Sequence, residues 1–212
     1  MGHLRFFLIR QSFRRGEQAL RERDDRTAED HLRQSLAKEP YCVPVLDLLA
    51  ELEYRRGHDE ACRKLCAKAL SVDAYDPAAN YIDGLCALAR NDVLTALERL
   101  GLAAYSPLFR AAAHAKMAKA YLRTGDAARA LVQARKCREA DANSIDGFAL
   151  AVLALRARLQ RLHLARRDLG DGDRLEVDEG RSLTVEGGKR AVRGEALPVN
   201  RPQREHVAPG RR

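Results

Sequence analysis

The apolar positions of this chain fall into columns that return every 34 residues, and small side chains fill them. Gly16, Ala50, Gly84 and Ala118 form one column; Ala28, Cys62, Ala96 and Ala130 form a second; Ser35, Ala69, Ala103 and Cys137 form a third. Polar positions repeat between the first two: Arg23, Gly57, Asn91 and Gly125, followed by Asp24, His58, Asp92 and Asp126. Gly or Asn gives one helix a left-handed stop, and a short polar residue after it caps the next. The pattern therefore predicts two helices per period, joined by a tight turn, with small residues where the axes approach. The first period meets the turn rule only in part, because Arg23 stands where the others have Gly or Asn. Ala and Leu carry the apolar fraction, with few aromatics and no Trp, which suits helices because these residues lose little entropy on entering one.

Period and columns together resemble the tetratricopeptide repeat (TPR), a helix–turn–helix unit with small residues at its eighth, twentieth and twenty-seventh positions. On that resemblance the repeats run 9–42, 43–76, 77–110 and 111–144, with 1–8 as an N-terminal extension. The fourth matches best, with Met117-Ala118, Tyr121, Thr124-Gly125-Asp126, Ala130 and Cys137, and the first ends on Leu36 and Pro40. Asp83 departs from the usual Leu at the seventh position and Glu53 from the usual aromatic at the eleventh, so packing is expected to differ there. The fold class implied is all-α: a right-handed superhelical solenoid of about four repeats plus a C-terminal capping helix and a low-complexity tail. The small columns are expected to set helix spacing, so Ala130→Phe should overpack its seam at a cost of about 1–3 kcal/mol.

Residues 145–167 supply the capping helix, with Ser144 as its N-cap. Ile145, Phe148, Leu150, Val152, Leu155, Leu159 and Leu162 give it an apolar face, and Arg156, Arg158, Arg161, Arg166 and Arg167 line the remainder. The outer face of such a helix is expected to be polar, as solubility of a repeat array requires. From Asp168 onward the chain holds seven of its 14 Gly, three of its seven Pro and no aromatic residue, so 168–212 is expected to be a flexible tail. Leu175-Glu-Val177 and Leu183-Thr-Val185 alternate around Asp178-Glu-Gly180 and admit a weak hairpin there.

Net charge is +8, but it is divided. Residues 1–16 carry four Arg and no acid, residues 144–167 carry five Arg against Asp146, and the rest balances. The excess sits on two helical ends and not on a continuous stripe, which disfavours a phosphate-tracking surface. No run of 18 apolar residues exists, so no membrane span is expected. Five cysteines, an odd number, read as reduced thiols and a cytoplasmic location.

Candidate chemistry is thin. Cys62 and Cys66 have metal-compatible spacing, but Cys62 occupies a small column and Cys66 a position held by Leu32 and Leu100 in sister repeats, so packing is the expected role. Cys42, Cys86 and Cys137 stand apart in the sequence, and the six His are dispersed, with His58 expected to cap or face solvent. Asp168-Leu-Gly-Asp171-Gly-Asp173 fails the calcium-loop pattern at Leu175 and at the twelfth position. No catalytic residue, metal or cofactor is expected.

In TPR proteins the first helices of successive repeats line a concave groove, and the resemblance implies a protein or peptide partner bound there. The groove positions nominate Tyr54, Tyr81, Leu85, Leu88 and Leu122 as an apolar centre, with Lys119 and Arg123 as a basic shoulder. The alternative is that Leu85, Leu88 and Leu122 pack against neighbouring helices. The Lys–Asn pair with which chaperone-binding members hold a C-terminal carboxylate is missing from all four repeats. Two other readings stand beside the scaffold. Ala74-Tyr-Asp-Pro-Ala-Ala-Asn-Tyr81 and Ser106-Pro-Leu-Phe109 are similar to the repeat region of bacterial proteins that pair a carbohydrate-enzyme-like domain with TPRs, which implies an accessory role in a larger protein. Nucleic-acid binding through the basic helical ends is the third.

Overall fold

The computed structural model describes residues 2–168, 174–177 and 183–186, with side-chain surroundings from 11 to 166. It divides into two units, residues 1–163 and 164–212. The first is a helical repeat solenoid. Its helices pair as α1 (Gly2–Arg21) with α2 (Asp25–Lys38), α3 (Val43–Arg55) with α4 (Asp59–Val72), α5 (Pro77–Ala89) with α6 (Val93–Ala103), and α7 (Pro107–Arg123) with α8 (Ala127–Ala140). The last helix, α9, runs Ile145–Asp168. Helix α1 begins at Gly2, so residues 2–8 continue the first helix and do not form a separate element.

Residue size explains the pairing. All twelve positions of the three small columns are buried. A Cβ added to Gly16 would lie 2.8 Å from Leu32 Cγ, and one added to Gly84 would lie 2.8 Å from Leu100 Cγ. Only a hydrogen at the eighth position lets those leucines reach the opposing backbone. Leu32, Leu46, Leu52 and Leu100 are fully buried, and truncating any to Ala is expected to cost about 2–5 kcal/mol.

The turns repeat too. Arg23, Gly57, Asn91 and Gly125 all have positive φ, between 61° and 79°. Arg23 thus takes the left-handed conformation without being Gly or Asn, a strained choice for a side chain with a Cβ. Asp24, Asp92 and Asp126 then accept from the backbone N–H groups of Thr27, Thr95 and Arg129. The side-chain and backbone hydrogen bonds with Thr27 and Thr95 hold the Asp24 and Asp92 carboxyls below the ordinary range. His58 shares their column but makes no capping bond; its Nδ1 lies 2.7 Å from Glu53 Oε2.

That contact accounts for one departure from the repeat pattern. Glu53 is buried, and its Oε1 also meets the Arg33 guanidinium at 3.5 Å. At the other departure Asp83 pairs with Arg99 at 3.1 Å, and Arg99 reaches Asn80 Oδ1 at 3.4 Å. Buried Asn80 spends its amide on the Ala74 and Asp76 carbonyls. Each polar intrusion carries its own partners, as a buried polar group requires.

Two expectations need correction. The capping helix does not have a polar outer face. It packs through Gly147, Ala151 and Ala154 against α8 and the end of α7, and leaves Ile145, Phe148, Val152, Leu155 and Leu159 exposed. Small residues allow the closest approach, so they and not the large ones take the inner side. Ser144 does cap it, accepting from Gly147 N–H at 3.1 Å. Within 168–212, described at two strands, the hairpin that the alternation admits is present in place of a wholly flexible tail. Strands β1 (Arg174–Val177) and β2 (Leu183–Glu186) pair antiparallel, Leu175 opposite Val185 and Val177 opposite Leu183. The rest of that segment, including the Asp171 and Asp173 turn, lies outside the described residues.

Candidate functional site

The first helices of successive repeats lie side by side: α3 touches α5, and α5 touches α7. The seven nominated residues lie on these three helices. Tyr54 on α3 is half-buried and packs on Ala50, Ile82 and Cys86. Tyr81 on α5 is half-buried, its ring 5.2 Å from that of Phe109 and tilted by 38°. Burial first, then Tyr54 and Asp146, raise the Tyr81 hydroxyl above the ordinary phenol range. Burial likewise raises Tyr54, with Cys86 and Asp59 adding to it. Neither hydroxyl has a hydrogen-bond partner among the described residues.

The other five divide. Leu88 packs onto the cluster of Leu100, Ala103 and Met117, and Leu122 onto Ala130, Leu131 and Ala154. Both are half-buried, so part of each is spent on the fold. Leu85 is half-buried without belonging to a core cluster, and Lys119 is exposed with no ion pair among the described residues. Arg123 is exposed but engaged. Its guanidinium donates to the Leu88 carbonyl at 3.2 Å and to Asn91 Oδ1 at 3.0 Å, latching the turn between α5 and α6.

Electrostatics along this face are uneven. Toward α1 a hollow of about 230 Å³ is walled by Glu17, Leu20, Arg21, Leu48, Glu51 and Arg55. Between α3 and α5, Asp47 has one carboxylate oxygen buried without a hydrogen-bond partner. Burial, then the carboxylates of Asp76 and Asp73, push Asp47 up to about 7. Asp47 therefore binds a proton near neutrality, the charges around the hollow balance, and Lys119 at the far end is a cation with no ion pair among the described residues.

Sequence spacing missed three features. Asp47 and Asp76 are 29 positions apart, and only the helix stacking brings their carboxylates together. A cleft of about 550 Å³ opens between α6, α7 and α8, walled by Leu97, Leu102, Met117 and the His114–Gln133 pair, whose Nδ1–Oε1 distance is 2.8 Å. Burial holds His114 below its ordinary value, hence neutral near pH 7. Cys86 does not stand alone: its Sγ lies 3.2 Å from Cys62 Sγ, both buried and both free thiols. The Cys66 contact, then burial, push Cys62 up to about 12, and the Cys62 contact with burial raises Cys86 further. These are inert, protonated thiols. Among the described residues no three His, Cys, Asp or Glu side chains converge as a metal site requires, and no helix is long and apolar enough to cross a membrane.

Comparison with known proteins agrees with the helical repeats. A family model described as the TT21 fifth ARM repeats domain matches residues 16–122. Among solved structures, MamA superposes with a TM-score of 0.63 at 19% identity, over 78% of this chain and 88% of that one. PilF of Pseudomonas aeruginosa gives 0.66 at 17%, over 77% and 74%. A tetratricopeptide repeat protein from Parabacteroides merdae gives 0.61 at 15%, over 75% and 63%. At these identities the likeness is one of fold. No curated protein sequence matches the chain.

Proposed function

Because the chain belongs to the TT21 fifth ARM repeats family and folds as a TPR-like solenoid, we propose that it is a protein-interaction scaffold that holds a peptide segment of a partner along the concave face of its first helices. The observation that carries this is the run of half-buried, incompletely used groups on α3, α5 and α7. Tyr54 and Tyr81 offer ring faces and unpartnered hydroxyls, Leu85 offers apolar surface outside any core cluster, and Lys119 offers an unpaired cation one repeat further on. Amphipathic rings at low entropy cost are what binding hot spots use. The ligand class is an extended or helical segment with an apolar anchor and an acidic residue beyond it, the anchor over Leu85 and the acid toward Lys119 and Arg123. Leu88 and Leu122 contribute their exposed parts only. Catalysis plays no part in this reading. Five free thiols suit the reducing cytoplasm.

The test is a peptide-library selection on the intact chain, with counter-selection on Leu85→Asp. Enriched sequences should share an apolar residue followed by Glu or Asp, and Lys119→Glu should weaken them at least tenfold. Enrichment of peptides that bind Leu85→Asp equally well would sink the groove reading. Capture of nucleic acid alone, released by salt, would shift it to the basic ends.

A further inference from the structure

At Leu46, Ala50, Gly84 and Tyr121 the fourth, eighth and eleventh positions of a first helix pack toward the second helix of the same repeat. Glu53, at an eleventh position, turns to Arg33 and His58. Leu46 meets Ala69, Ala50 meets Cys62 and Cys66, Gly84 meets Leu100, and Tyr121 packs on Ala130. Continuing the 34-residue register, α9 is a first helix whose corresponding residues are Phe148, Val152 and Leu155. Leu46 and Ala50 are fully buried, whereas Phe148, Val152 and Leu155 are 57%, 54% and 46% exposed. No described helix follows α9 to cover them.

Exposed Ile145, Phe148, Val152, Leu155 and Leu159, with half-buried Leu162, form a continuous seam. They are spaced alternately by three and four, the a/d pattern with which a helix presents itself to another helix. At 1.5 Å per residue the seam is about 25 Å long. Its eighth position is Val152 where the repeats have Ala or Gly, so the helix that fits it lies further off than a repeat's own partner helix. That suits knobs-into-holes packing between large side chains.

Charge decides the occupant. From Ile145 to Leu162 the charged residues of α9 are Asp146 at the first turn and, along the rest, Arg156, Arg158 and Arg161. Arg161 donates to the Gly125 carbonyl, which leaves Arg156, exposed, and Arg158, half-buried, beside the seam. Arg138 of α8 adds a third cation at the other end, 4.7 Å above the Phe148 ring. A second copy of α9 paired two-fold about Leu155 would bring Arg156 and Arg158 against their own counterparts with no acid to offset them. We propose that α9 is a second docking surface, separate from the concave groove, and that it takes an amphipathic partner helix with an apolar seam and acidic flanks. The helix lies along α9 on the side where each repeat carries its own second helix.

The probe is a synthetic helix of about three heptads with Leu at a and d and Glu at e and g, and a twin with Lys in place of Glu. Binding to the full-length chain is read by fluorescence anisotropy at low salt. The Glu helix should bind at least tenfold more tightly than the Lys helix. Val152→Asp with Leu159→Asp should weaken it at least tenfold, and Arg156→Glu with Arg158→Glu should invert the preference. Circular dichroism checks that each variant is folded, and inversion by the charge variant needs no loss of structure to be read. Leu85→Asp should leave this binding unchanged, which separates it from the groove. Equal binding of the two probes, or binding indifferent to Val152→Asp with Leu159→Asp, overturns the proposal. So does sedimentation showing that the chain self-associates and that Val152→Asp abolishes it, because a second copy then occupies the seam.

Discussion

Helices α5 and α9 stand in the same register of one 34-residue pattern but differ in what covers them. The seam side of α5 presents Asn80, Gly84 and Ala87, all buried, and α6 lies so close that Leu100 nearly touches the Gly84 backbone. The same positions of α9 are Phe148, Val152 and Leu155, large and open to solvent. At the eighth position a small residue accompanies a close neighbour supplied by the fold, as Gly84 does under Leu100. Val152 takes that place in α9, and no described residue covers it to the same depth. Apolar content alone does not distinguish the two faces; side-chain size at the eighth register position does.

The largest effect expected from this contrast is in paired truncations. Leu100→Ala should cost about 2–5 kcal/mol in urea unfolding, through lost burial and a residual cavity. Leu155→Ala should cost less than about 1 kcal/mol, because nearly half of that side chain already faces water. Equal losses would mean that α9 is covered in solution.

Enlargement gives a smaller contrast. Gly84→Val places a Cβ 2.8 Å from Leu100 Cγ and 3.3 Å from the Leu100 backbone nitrogen, and should destabilise by about 1–3 kcal/mol. Val152→Leu at the same register should leave the unfolding midpoint within about 0.5 kcal/mol of its starting value.

A change at the turn column sharpens the register argument without touching a seam. Arg23 sits at φ 61°, where Gly57 and Gly125 pay no Cβ penalty. Arg23→Gly should therefore stabilise the chain by about 0.5–1 kcal/mol, visible as a raised Tm. A loss of stability would mean that the Arg23 side chain does more than endure its turn.

A further effect concerns pH. Folding raises the Asp47 carboxyl from the ordinary range to about 7, so the folded chain binds the extra proton. The corresponding stability is fully present below about pH 4 and is lost as pH rises through 7. Asp47→Asn should raise the unfolding midpoint at pH 8 more than at pH 5, and a pH-independent change would remove Asp47 as its origin.

What the sequence made legible follows from which properties are local. Side-chain size and turn chemistry are written in residue identity, so the small columns, the capping aspartates and the helix pairs are legible in the sequence alone. Partnership across helices is not local. Glu53 reads as a misfit until Arg33 and His58 arrive beside it from α2 and the following turn. Arg123 reads as a free cation until Leu88 and Asn91, 35 and 32 positions away, take its donors. Tyr81 reads as open groove until Phe109 meets its ring. The uncovered face of α9 was the hardest to see, because its apolar stripe looks the same in sequence whether it packs inward or waits outward.

Hydroxyl-radical footprinting of the free, full-length chain tests that contrast most directly. Phe148 and Leu155 should be labelled rapidly while Leu46, Leu100 and Met117 stay protected, in one sample and one exposure. Protection of Phe148 and Leu155 to the level of Leu100 would show the seam already covered and would contradict the account.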